Sequence, residues 1–141
     1  MMSVDSLALP SREEKDRAGR NAEGAMVVEL RPAQALKLWH DVTLDLVKDS
    51  QPDLSARQLG ILLTVYLEPP PHTVRGLAEK LRVTKPVVTR ALDSLAKLRL
   101  TTRRRDEADR RNVIVQRTVD GALYVEHLGD LLVERALGLP R

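Results

Sequence analysis

Five arginines crowd one short segment of this chain. Arg103, Arg104 and Arg105 precede, and Arg110 and Arg111 follow, a charged stretch that contains Asp106 and Asp109. Guanidinium groups packed this closely repel one another unless an anion neutralises them. An arginine at the tip of a hairpin suits the DNA minor groove, whose negative potential attracts it. Asp106 and Asp109 are expected to orient the guanidinium groups through paired hydrogen bonds. As an acid–base pair they are poorly suited, because surrounding cations hold carboxyl pKa values down. A second constellation precedes the first. Lys85, Pro86, Thr89 and Arg90 fall on one face if residues 84–98 are helical. Arg bonds guanine bidentately, and Thr meets a base edge or a thymine methyl, so this face suits the major groove. Thr73 and Thr84 each open a helix, where a hydroxyl and the neighbouring amides suit either capping or a phosphate.

The charge distribution agrees. Residues 73–118 hold thirteen Lys or Arg against five Asp or Glu, a surplus of +8 in a chain whose net charge is only +3. A basic segment inside an otherwise acidic chain is the footprint of polyanion binding. Other chemistries find no support. His40, His72 and His127 are scattered, without partners at metal-ligand spacing, so neither metal nor cofactor is expected. No Gly-rich phosphate loop, Gly-x-Ser-x-Gly turn or nucleophile–base pattern occurs, which argues against an enzyme. There is no Cys, hence no thiol chemistry. No apolar run is long enough for a membrane helix, and no signal-like stretch opens the chain, so a cytoplasmic protein is expected. Trp39, His40 and Tyr66 read first as core or interface residues, and second as the lining of a small-molecule effector pocket.

These residues need elements to position them. Residues 1–32, polar and mixed in charge, are expected to form a disordered tail, and residues 33–141 one domain. Pro32 suits the first turn of a helix over 33–48, with Leu36, Trp39, Val42 or Thr43, and Leu46 as its apolar stripe. Leu38 and Leu44 widen that stripe enough to bury two sides. Asp53 or Ser55 caps a helix over 56–67 that buries Leu59, Leu62, Leu63 and Tyr66, and the prolines after Glu68 end it. A short helix over 73–81 turns in Leu77, Ala78 and Leu81. After a tight turn at Arg82-Val83, the helix from Thr84 turns in Val88, Leu92 and Leu95. The period then changes. Residues 100–105 and 112–116 read as two strands of a hairpin. A last helix over 118–137 has Val119, Leu123, Leu128, Leu131 and Leu132 as its apolar face. The order predicts a mainly α fold with a small β-hairpin, a winged helix-turn-helix, with its nucleic-acid-binding core over 54–118.

From about Leu54 to Leu131 the sequence resembles the MarR family of transcriptional regulators. The resemblance is carried by Leu54-Ser55-Ala56-Arg57-Gln58, by Thr73 to Leu81, by Val83 to Leu95, by Leu100, Arg103-Arg104 and Asp109-Arg110-Arg111, and by Thr118 leading to Gly121. It implies a homodimer, here formed through residues 33–48 and 118–137. Its recognition helices would occupy successive major grooves of a pseudo-palindrome, and its wings would reach the minor grooves through Arg110 or Arg111. It also implies repression of transcription, relieved by a small molecule bound between the dimerisation helices and the DNA-binding lobe. Two departures stand out: only one helix fits after Thr118 where the family commonly has two, and Arg99 replaces a common glycine. The contrasting readings are a protein-interaction module and a non-specific architectural DNA-binding protein.

Overall fold

The computed structural model describes residues 29–140, so most of the expected tail lies outside the described residues. Within them the chain forms five helices and a three-stranded sheet. Helix α1 (Pro32–Lys48) starts on its proline, one residue earlier than expected. Helix α2 (Ala56–Leu67) opens with a reciprocal capping box, in which Ser55 Oγ accepts from the Gln58 N–H and Gln58 Oε1 from the Ser55 N–H. Strand β1 (His72–Thr73) leads into α3 (Val74–Leu81), and α4 (Lys85–Lys97) follows. Strands β2 (Thr101–Arg105) and β3 (Val113–Arg117) form the hairpin, and α5 (Val119–Leu137) closes the fold.

The sheet order is β1-β3-β2, antiparallel throughout, with His72 opposite Val115 and Thr101 opposite Arg117. The first strand was not expected: a two-residue element has no period to read. It ties the start of α3 to the wing. Below the sheet lies the core, where Ile61, Leu62 and Val65 of α2 meet Leu77, Val88, Leu92 and Leu95. In α2 the buried face is rotated from the expected one, and Leu59, Leu63 and Tyr66 are only half-buried.

Helices α1 and α5 pack on each other and correct the expected faces. In α1 the inner residues are Val42, with Leu38 and Leu46 beside it, whereas Leu36 is 69% and Trp39 58% exposed. In α5 the inner residues are Gly121, Tyr124 and Leu128, while Val119 and Leu123 face outward. Both helices are apolar around a wide arc, so spacing alone did not choose the inner side. Polar contacts along the seam complete the choice. Arg135 donates to both oxygens of Asp45, at 2.5 and 2.7 Å. His127 Nε2 lies 3.1 Å from Asp49 Oδ2, and Gln34 Nε2 donates to the Pro140 carbonyl at 2.9 Å. The Arg135 hydrogen bonds hold the Asp45 carboxyl below its ordinary range, and the bond to His127 does the same for Asp49.

Candidate nucleic-acid interface

The candidate interface is built on the α3–turn–α4 unit. Thr73 Oγ1 accepts from the Gly76 N–H at 2.9 Å, so its hydroxyl caps α3. Arg82 ends α3 in the left-handed conformation, φ 55°, and the Val83 N–H closes the turn on the Ala78 carbonyl at 3.1 Å. Thr84 stands at the N-cap of α4, but its side chain makes no capping bond; its carbonyl takes the Val87 and Val88 N–H groups instead. That corrects the expected capping by its hydroxyl. Val88, Ala91, Leu92 and Leu95 anchor α4 in the core. The opposite face leaves Lys85, Pro86, Thr89 and Arg90 exposed, as the spacing predicts.

The hairpin stands beside that face. Arg103 is half-buried and donates to Asp93 Oδ1 of α4 at 2.6 Å, which couples the wing to the helix. Arg104, Arg105, Arg110 and Arg111 are exposed. The aspartates work differently from expectation. Asp106 Oδ1 accepts from the Ala108 N–H at 2.9 Å, and Asp109 Oδ1 from the Arg111 N–H at 3.1 Å. Among the described residues only one guanidinium nitrogen comes near either carboxylate: Arg111 Nε, 3.6 Å from Asp109, too far for a hydrogen bond. Short carboxylates reach the turn's own amides more readily than the ends of long side chains, so they set the backbone of the tip. Arg105 is held by a carbonyl, that of Arg110, at 3.0 Å.

Arg117, the last basic residue of the hairpin, faces the other way. It donates to the Val65 and Glu68 carbonyls at the end of α2, at 2.7 and 2.9 Å, where a cation meets the unpaired carbonyl groups favourably. The three residues considered for an effector pocket have separate placements. Trp39 and His40 are exposed on α1, and His40 Nδ1 lies 3.2 Å from Asp41. The Tyr66 hydroxyl is engaged by Leu100 and Thr118. Among the described residues no cluster of His, Asp and Glu could hold a metal ion, and no helix is long and apolar enough to cross a membrane. Arg57, Arg75 and Asp93 were not singled out from sequence. The first two are neighbours of helix caps, which is the one signal that placed them near this face.

The pattern of the MarR family matches residues 53–112. No curated protein matches the chain. Solved structures do. The MepR–DNA complex of S. aureus is 23% identical, over 71% of this chain and 79% of that one, with a TM-score of 0.62. YusO from Bacillus subtilis is 19% identical, over 94% and 80%, with a TM-score of 0.60. The transcriptional regulator Tm0710 from Thermotoga maritima is 22% identical, over 89% and 75%, with a TM-score of 0.56. At such identities the likeness establishes the fold, and the matched segment contains both helices of the α3–turn–α4 unit, all of β2 and the tip of the hairpin. Residues 53–112 therefore match the MarR family pattern, and the described chain takes the fold of these solved structures, a winged helix-turn-helix.

Proposed function

We propose that the chain is a sequence-specific double-stranded DNA-binding transcriptional regulator, a repressor that acts in the cytoplasm as a homodimer. One observation carries this reading: the exposed polar face of α4, with Lys85, Pro86, Thr89 and Arg90, stands beside a wing whose exposed tip carries Arg104, Arg105, Arg110 and Arg111. A helix in the major groove with an arginine-tipped hairpin in the adjacent minor groove uses both. In this reading Thr89 and Arg90 read bases, Arg110 or Arg111 enters the minor groove, and Thr73, Thr84, Arg103 and Arg105 support the backbone contacts. The MepR structure, similar in fold, is a DNA complex. The work is binding, with no catalytic step.

The outward apolar residues of α1 and α5 support dimerisation through those helices. A cavity of about 270 Å³, lined by Pro52, Leu98, Leu100, Tyr124 and His127 among others, lies between α5 and the end of α4. It suits an effector that couples to the recognition helix better than the separated Trp39, His40 and Tyr66 do. The test is Arg90→Ala, titrated on a duplex selected from genomic fragments and on a scrambled duplex. Affinity for the selected duplex should fall by about 1–3 kcal/mol, with relaxed preference at one base position. An equal loss on both duplexes would contradict base readout by Arg90.

A further inference from the structure

We propose that two cationic troughs, one on each flank of α4, seat the two sugar–phosphate backbones that border the major groove, and that Arg57 and Arg75 bind phosphates there. The proposal rests on the DNA-binding reading above and adds residues that reading does not use. An α-helix with its side chains is roughly 10–12 Å across, and the major groove is about 12 Å wide. A helix lying in the groove therefore fills it, and its two flanks face the two backbones. On the wing side one backbone must also pass between helix and hairpin, because that strand is what separates the major groove from the minor groove.

The structure has a trough on each flank. The first, of about 460 Å³, runs between α3, α4 and the wing, with Arg75, Lys85, Thr89, Arg103, Arg111 and Asn112 on its walls. The second, of about 190 Å³, lies between the start of α2 and α4, with Ser55, Arg57, Gln58, Arg90 and Ser94 on its walls. Both are lined by cations that are available. Arg57, Lys85 and Arg90 have no carboxylate within 4.0 Å among the described residues. Arg75 has Glu79, with Nε 3.5 Å from Oε1, and both side chains are largely exposed; such a pair is weak and yields to a phosphate. Asp109 also borders the first trough, with Arg111 Nε 3.6 Å from its Oδ1, and the four cations Arg75, Lys85, Arg103 and Arg111 outnumber this one carboxylate on the walls. Arg103, tied to Asp93, fixes the wall of the first trough. In the second, Ser55 and Gln58 satisfy each other, which leaves the Arg57 guanidinium to hold the anion.

The test uses the full chain with the selected duplex and a scrambled duplex of equal length, titrated over a salt series. Arg57→Gln and Arg75→Gln should each reduce the slope of log affinity against log salt by about one per bound protomer, on both duplexes alike, and the double variant by about two. The preference for the selected duplex should be unchanged. Arg57→Lys and Arg75→Lys should restore the parent slope, and Lys37→Gln on α1 should leave it untouched. Unchanged slopes in both Gln variants, or a loss confined to the selected duplex, would overturn the seats while the parent still discriminates the two duplexes. A parent that binds neither duplex would overturn the function and the seats together.

Discussion

The Tyr66 hydroxyl shows how much depends on single groups here. It donates to the Leu100 carbonyl at 2.8 Å and accepts from the Thr118 N–H at 2.8 Å, so one atom joins α2, the start of the wing and the start of α5. Gly121 makes room for it. A Cβ at that position would stand 1.8 Å from the Tyr66 oxygen and 2.2 Å from the Leu100 carbonyl oxygen. Gly121→Ala is therefore expected to lower stability by about 1–3 kcal/mol, read as a fall in the urea midpoint, because the seam must open to admit a methyl group. A variant as stable as the parent would contradict this packing. The sequence showed Thr118 leading to Gly121 only as part of a resemblance. The reason is a contact with a tyrosine far back in the chain, which no local pattern reveals. Arg99 teaches the converse. It stands where the resemblance implies a glycine, and the turn forms all the same: Arg99 sits at φ 61°, its N–H bonds the Ala96 carbonyl, and its own carbonyl accepts from Thr118 Oγ1 at 2.7 Å. The left-handed conformation costs a non-glycine residue about 1–2 kcal/mol, and those bonds offset it.

Elements were readable where one face is polar and the other apolar. Helices α3 and α4 meet that condition, so Leu77, Ala78, Val88, Leu92 and Leu95 are buried where their spacing puts them. Helices α1 and α5 do not, and there the expected stripes held the inner Val42, Leu46 and Leu128 but also the exposed Leu36, Trp39, Val119 and Leu123, and left out Gly121 and Tyr124. Charged contacts also cross the α1–α5 seam, and they join residues 78 and 90 positions apart. They also make the seam sensitive to acid. Asp45, hydrogen-bonded by Arg135, ionises below its ordinary value of 3.8, with partial burial opposing that effect. A carboxyl whose folded pKa is lowered stabilises the fold above its unfolded value and loses that contribution as pH falls through the folded value. The stability difference between the parent and Asp45→Asn should thus be full at neutral pH. It should shrink below 3.8, when urea midpoints are compared across pH. A difference independent of pH would contradict the role given to this pair.

Among the described residues, the basic surface and most of the exposed apolar surface lie on different elements. The basic segment 73–118 carries α4 and the wing, while α1 and α5 expose a second kind of surface. Leu36, Trp39 and Val47 on α1, and Val133 and Leu137 on α5, are more than half exposed, and exposed apolar residues concentrated on two packed helices mark an interaction face. A second copy of the chain is the proposed occupant. Trp39→Asp should therefore give a monomer by sedimentation, with weaker binding to a two-half-site duplex; a variant that still sediments as a dimer would place the interface elsewhere. The most direct test of the central claim is the specificity ratio of the unmodified chain. A fragment selected from genomic DNA and its scrambled counterpart would be titrated side by side at about 150 mM salt, near the physiological value. A sequence-specific regulator should prefer the selected fragment by about a thousandfold or more. Equal affinity for both, with only a steep dependence on salt, would show that α4 reads no bases and would contradict the account.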